Sequence, residues 1–165
     1  MGLLKQMNKQ IMELIGSDSN DSKQFHYYEY IDKYGIETKC DPIPLYLKQL
    51  ITMAHVQQHE CYRNAIVVCR ILTSMGIEAE YCECNQLVAG IVPLHHAIVY
   101  LPKENIYIDP TIEMLFGHES CTEYLVFKRF KLSEAEKLLF KNQYYGEIFD
   151  QWFRDTQKWM ERVIS

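Results

Sequence analysis

Apolar residues interleaved with Lys5, Asn8, Lys9 and Glu13 over residues 3 to 15 predict a short amphipathic helix that stops at Gly16. The polar run Ser17 to Lys23 then reads as a loop, and a tyrosine-rich segment from Phe25 to Tyr34 precedes Gly35. Pro42 and Pro44 mark an extended entry to a second helix over Leu45 to Met53. From Cys61 to Met75 only Arg63, Asn64 and Arg70 interrupt an apolar surface, the pattern of a buried central helix with Gly76 as its C-terminal stop. Ile77, Ala79 and Tyr81 alternate with Glu78, Glu80 and Cys82, which predicts a half-buried strand.

Two apolar runs, His96 to Leu101 and Ile106 to Asp109, flank Pro102-Lys103-Glu104-Asn105 and predict a hairpin. Residues 133 to 163 carry Leu138, Leu139, Phe149, Trp152, Phe153, Trp159 and Met160 among many charges and read as one or two helices. Ser133 and Glu136 have capping-box spacing, and Gly146 divides the pair. Helices flanking sequential strands place the chain in the α+β class. No internal repeat or low-complexity tract is present.

Composition narrows the function. The chain has 165 residues, enough for one domain with a sizeable core, and is 48% hydrophobic and 24% charged, which argues against a disordered or fibrous protein. A net charge of -5 with acids and bases mixed offers no basic stripe for nucleic acid. No stretch is long and uncharged enough to span a bilayer, and residues 1 to 15 lack the apolar core of a signal peptide. The six cysteines, Cys40, Cys61, Cys69, Cys82, Cys84 and Cys121, therefore read as thiols in a cytoplasmic protein. Small size suggests a stand-alone protein of microbial or viral origin.

Chemistry concentrates at Cys61. It lies where the polar run Gln57-Gln58-His59-Glu60 turns into the buried helix, and a helix N-terminus favours a thiolate. If Leu101 pairs with Ile106, then Ile98 faces Asp109 and Thr111 faces His96, so His96 and Asp109 are diagonal neighbours on one face while His95 points to the other. That arrangement suits a carboxylate holding an imidazole.

Other readings of the same residues compete. Cys69 is structural, and a cysteine on a buried helix is commonly a small core hydrophobe. Cys82-x-Cys84 with His95, His96, His118 and Cys121 offers thiolates and imidazoles for a zinc module, although its spacing is not that of the usual zinc sites. His55 and His59 have i, i+4 spacing for a metal if that stretch is helical. Tyr27, Tyr28, Tyr30, Tyr34, Tyr144, Tyr145, Trp152, Phe153 and Trp159 read as core packing rather than a substrate groove.

Cys-x-x-Asn-Ala at 61 to 65, LTSMGIEAEY at 72 to 81 and HHAIVYLPKENIYIDPT at 95 to 111 run in an order that resembles transglutaminase-like proteins, over about Glu60 to Thr111. The resemblance implies a papain-like core over residues 55 to 115, with a central helix packed on an antiparallel sheet and helical flanks at 1 to 54 and 116 to 165. It assigns Cys61 as nucleophile, His96 as base and Asp109 as orienter of the base. Oxyanion stabilisation needs the Cys61 N–H and a second donor, for which Gln57 or Gln58 is available. Many family members carry an aromatic residue two places after the histidine, where this chain has Ile98.

The implied activity is attack on an amide, thioester or related acyl carbon of a protein or peptide, through an acyl-enzyme, without metal or cofactor. Protease, amidase, deamidase and transglutaminase share that first half. A second class keeps the fold for binding or inhibition alone and uses no chemistry. The oligomeric state has no signature in the chain.

Overall fold

An edge strand, a late-arriving central strand and three sequential strands make the sheet of this protein, seen in a computed structural model that describes residues 1–16, 22–143 and 145–164, without the side chains of 22 and 158–164. Among the described residues the order is α1 (Leu3–Ile15), α2 (Ser22–Tyr34), β1 (Ile36–Thr38), α3 (Leu45–Thr52), α4 (Cys61–Ser74), β2 (Glu80–Val88), β3 (Val92–Leu101), β4 (Ile106–Ile108), α5 (Pro110–Phe116), β5 (Tyr124–Lys131), α6 (Leu132–Asn142) and α7 (Phe149–Ile164). The α+β class is as expected. The strands lie in the order β1-β5-β2-β3-β4, with every pair antiparallel.

Helix α4 forms where its apolar surface predicts. It buries Ala65, Ile66, Val68, Cys69 and Leu72 against Ala97, Val99 and Leu101 of β3 in the main core. Complete burial of side chains such as Ile66 and Leu72 contributes roughly 1.5–3 kcal/mol each. Its C-terminus closes as a Schellman motif: Gly76 has φ 78, its N–H donates to Thr73, and the Ile77 N–H donates to Leu72. The hairpin register is the predicted one, with Leu101 opposite Ile106 and Val99 opposite Ile108.

Several expectations are corrected. The strand read from Ile77 begins instead at Glu80 and runs to Val88, and Tyr81 and Cys82 are both fully buried. Alternation fails because both faces of the sheet are covered. One face joins the main core, while Cys40, Cys82, Cys84, Ile98, Tyr100, Tyr107, Tyr124 and Val126 form a second cluster. The flanks are not purely helical, since residues 1 to 54 supply β1 and residues 116 to 165 supply β5. Pairing of the hairpin ends at Ile108, and Thr111 belongs to α5 rather than to a strand opposite His96. Helix α6 starts at Leu132, ahead of Ser133, so no capping box forms, and Glu136 instead accepts from Arg70 Nε at 2.6 Å. Lys23 lies in α2, and the rest of the loop expected from Ser17 falls largely outside the described residues.

The tyrosine-rich segment is α2. Tyr27 and Tyr30 pack edgewise on Phe153 and, for Tyr30, Trp152 of α7, and at a tilt on Phe149, the packing role expected of them. Gly146 lies in the connector between α6 and α7. Tyr144 and the side chain of Trp159 lie outside the described residues. No helix among the described residues is long and apolar enough to cross a membrane.

Candidate active site

Cys61 is the first residue of α4, half-buried, and the preceding Glu60 makes no side-chain capping bond. The positive end of the helix is thus open beside the sulfur. Two turns of sequence away in α4, Cys69 is fully buried and belongs to the core.

His96 projects from β3 on the same sheet face as Ile98 and Tyr100, and 6% of its surface is exposed. Its Nε2 lies 2.8 Å from Oδ2 of Asp109. The Cys61 side chain lies close enough to the ring to raise its proton affinity. Burial alone would lower the imidazole's proton affinity. The charge and hydrogen bond of Asp109, then the contact with Cys61, override it and push His96 up to about 10.

Asp109 stands just beyond β4, as the N-cap of α5, and is buried. Its Oδ1 accepts from the Ile112 N–H at 3.0 Å, and Pro110 occupies the first helical position, where no N–H is needed. Its Oδ2 accepts from both His96 and the hydroxyl of Tyr124, the latter at 2.8 Å. Tyr124 begins β5, which is separated from β3 by β2. A flat sheet would put β5 and β4 about 14 Å apart, so the sheet must curl for this contact to form.

Asn64, one helical turn beyond Cys61, is completely buried and fully engaged. Its Nδ2 donates to the Gln57 carbonyl at 2.7 Å and to Thr111 Oγ1 at 3.1 Å, and its Oδ1 accepts from the Gln57 N–H at 3.1 Å. One amide therefore ties the loop before Cys61 to the turn after Asp109. Gln57 and Gln58 are exposed in that loop, ahead of Cys61. The main-chain N–H of Gln57 is engaged by Asn64.

Sequence reasoning missed Tyr124 and the role of Asn64. Asn64 carried a signal, as an amide on an otherwise apolar helix. Tyr124 carried none, because its partner is reached only through the curl of the sheet.

The remaining candidates do not converge. His95 points to the opposite face, where its Nδ1 pairs with Glu147 Oε1 at 2.9 Å. His55 and His59 do not lie on a helix: both sit in the loop before α4 with positive φ, 47 and 64. Cys82 and Cys84 share a face, as their spacing requires, and Cys84 Sγ lies 3.5 Å from the His96 carbonyl. His118 lies 4.0 Å from Glu113, and Cys121 is exposed. Among the described residues no three His, Cys, Asp or Glu side chains are grouped to hold a metal ion. All six cysteines are free. Burial pushes the thiols of Cys40, Cys69, Cys82 and Cys84 well up, which keeps them protonated.

Comparison with protein-family models, with curated proteins and with solved structures finds no match to the chain.

Proposed function

We propose that this chain is a cysteine-dependent acyl-transfer or amide-hydrolysing enzyme with a transglutaminase-like core, in which Cys61 is the nucleophile, His96 the base and Asp109 the orienter of the base. The observation that carries the reading is the buried His96 Nε2 to Asp109 Oδ2 bond of 2.8 Å, with Cys61 near the imidazole at the first position of α4. A helix N-terminus and an imidazolium both favour the thiolate.

In this mechanism the Cys61 sulfur donates its electron pair to an acyl carbon of a protein or peptide, and the carbonyl π electrons move onto oxygen. The Cys61 N–H and a Gln57 or Gln58 amide stabilise that oxyanion. As the oxyanion collapses the C–N bond breaks, and the His96 imidazolium gives its proton to the departing amine. The acyl-enzyme is then attacked by water or by a second amine, whose proton His96 takes up, and the thiol is regenerated. The chemistry requires no metal. A cytoplasmic setting, in which six thiols stay reduced, belongs to the same proposal.

The test is the pH dependence of alkylation by iodoacetamide, resolved cysteine by cysteine with mass spectrometry. Cys121 is the exposed internal reference. Selective reaction of Cys61 should persist well below the ordinary thiol pKa of about 8.5 and be lost in His96→Ala. A Cys61 that reacts no faster than Cys121 would sink the proposal.

A further inference from the structure

Four elements press titratable groups around Asp109. His96 approaches from β3, Tyr124 from β5, Cys84 from β2, and Cys40 from the segment between β1 and α3. Only two of these groups bond to the carboxylate, and both use Oδ2. Tyr124 is 2% exposed, and its hydroxyl also lies 3.5 Å from Gln86 Nε2 and in contact with the Cys40 thiol. Burial, followed by the charge of Asp109, holds the phenol protonated, so Tyr124 is a permanent donor.

A carboxylate shut away from water needs donors to remain ionised. The Ile112 N–H supplies one, on Oδ1. His96 supplies a second on Oδ2, but the charge of that donor changes with the chemistry, because the imidazole gives up its other proton during catalysis. Tyr124 is the donor on Oδ2 whose charge is the same in every step of the cycle.

We propose that Tyr124 is a positioning residue of the triad: its hydroxyl holds the Asp109 carboxylate aimed at His96 Nε2. The inference rests on the catalytic reading above and extends it to a residue outside the resemblance, which ends at Thr111. Tyr124 does not touch the reacting atoms. It acts through Asp109, and the consequence is a pH effect with a definite sign. Without the phenol, Oδ2 of Asp109 is held by His96 alone and the carboxylate is freer to turn. The bond that raises the proton affinity of His96 then loosens, and the imidazolium gives up its proton at lower pH.

Tyr124→Phe should therefore lower the pH at which the His96 imidazolium loses its proton by about one unit, followed by NMR of the imidazole ring, an effect of the order of one hydrogen bond to a charged group. Tyr107→Phe deletes a hydroxyl from the same cluster without touching Asp109 and should leave the His96 titration in place. In an Asp109→Asn background, Tyr124→Phe should have no further effect on it, since no carboxylate remains to be held. An unmoved His96 titration in Tyr124→Phe, or equal shifts from Tyr107→Phe, would overturn the proposal.

If Tyr124→Phe does not fold, the wild-type protein still decides. A slowly exchanging Tyr124 hydroxyl proton in the NMR spectrum should shift as His96 titrates, because both bond to the same Oδ2, and its absence, or its indifference to the His96 titration, overturns the proposal. Failure of the catalytic reading looks different: wild-type Cys61 then shows no selective alkylation at low pH at all.

Discussion

Glutamine at position 83 should separate two effects that the buried Glu83 carboxyl combines. Glu83 is 1% exposed in β2 and accepts from Tyr81 Oη at 2.9 Å, the Ile148 N–H at 2.5 Å and the Phe149 N–H at 2.8 Å. The last two groups open α7, so a strand residue caps that helix from outside it. Desolvation raises the carboxyl to about 8, against the pull of its three donors. A carboxyl held above its ordinary 4.5 binds its proton more tightly in the folded state than in the unfolded one. Its contribution is therefore complete below pH 4.5 and is lost as pH rises through 8. At about 1.36 kcal/mol per pH unit the loss is about 5 kcal/mol over that window, a large share of the 5–15 kcal/mol typical of a domain.

Glu83→Gln does not titrate, but its amide turns an N–H toward one of the three donors. The variant should be less stable than wild type by about 1–3 kcal/mol at pH 4.5. The gap should close, then reverse, by pH 8. Urea unfolding at half-unit pH steps, followed by far-UV circular dichroism and by tryptophan fluorescence, measures this. The two tryptophans, Trp152 and Trp159, both lie in α7, so fluorescence reports the capped helix directly. A gap that stays constant from pH 4.5 to 8.5 would refute the reasoning, because Glu83 would then be ionised throughout in the folded protein.

Two glycines should respond unequally to the same substitution. A Cβ at Gly35 would lie 2.3 Å from the Ile31 carbonyl oxygen and 2.9 Å from Leu125 Cδ1, so Gly35→Ala should cost about 3 kcal/mol in urea unfolding as backbone gives way. Gly76→Ala meets open space and suffers only the strain of φ 78, about 1 kcal/mol in the same assay. Asn64→Ala strands the Gln57 N–H and carbonyl and the Thr111 hydroxyl, and should lose about 3 kcal/mol while amide exchange at Gln57 accelerates.

Local signals were legible and distant ones were not. The α4 boundaries follow from an apolar surface ended by Gly76, and the His96 to Asp109 geometry follows from a four-residue turn whose register the hairpin keeps. Both depend on neighbours within about fifteen residues. β5 depends on partners in β1 and β2, some 40 to 90 residues earlier, and its pairing with β2 shifts register between Glu83 and Cys84. Nothing local to Tyr124–Lys131 declares that position. The period-two reading of β2 failed for a related reason: alternation reports one wet face, and here a second cluster covers the other. Ser133 and Glu136 had the right spacing for a cap, yet Arg70 from α4 took the glutamate at 2.6 Å.

These observations bear on why the proposed triad sits where it does. Asp109 caps α5 through Oδ1 and holds His96 and Tyr124 through Oδ2, so the position of its carboxylate is fixed by a helix, a neighbouring strand and a distant strand together. An orienting carboxylate benefits from that redundancy, since misplacement of a catalytic group by an ångström can cost two orders of magnitude in rate. Burial then falls along the relay, from Asp109 at 3% and His96 at 6% exposed to the half-buried Cys61. Asn64 keeps the two ends in register, because it bonds the loop before Cys61 and the turn after Asp109 with a single side chain. Rigidity is thus concentrated at the acid and access at the sulfur, the arrangement that the proposed attack on an acyl donor arriving from solvent requires.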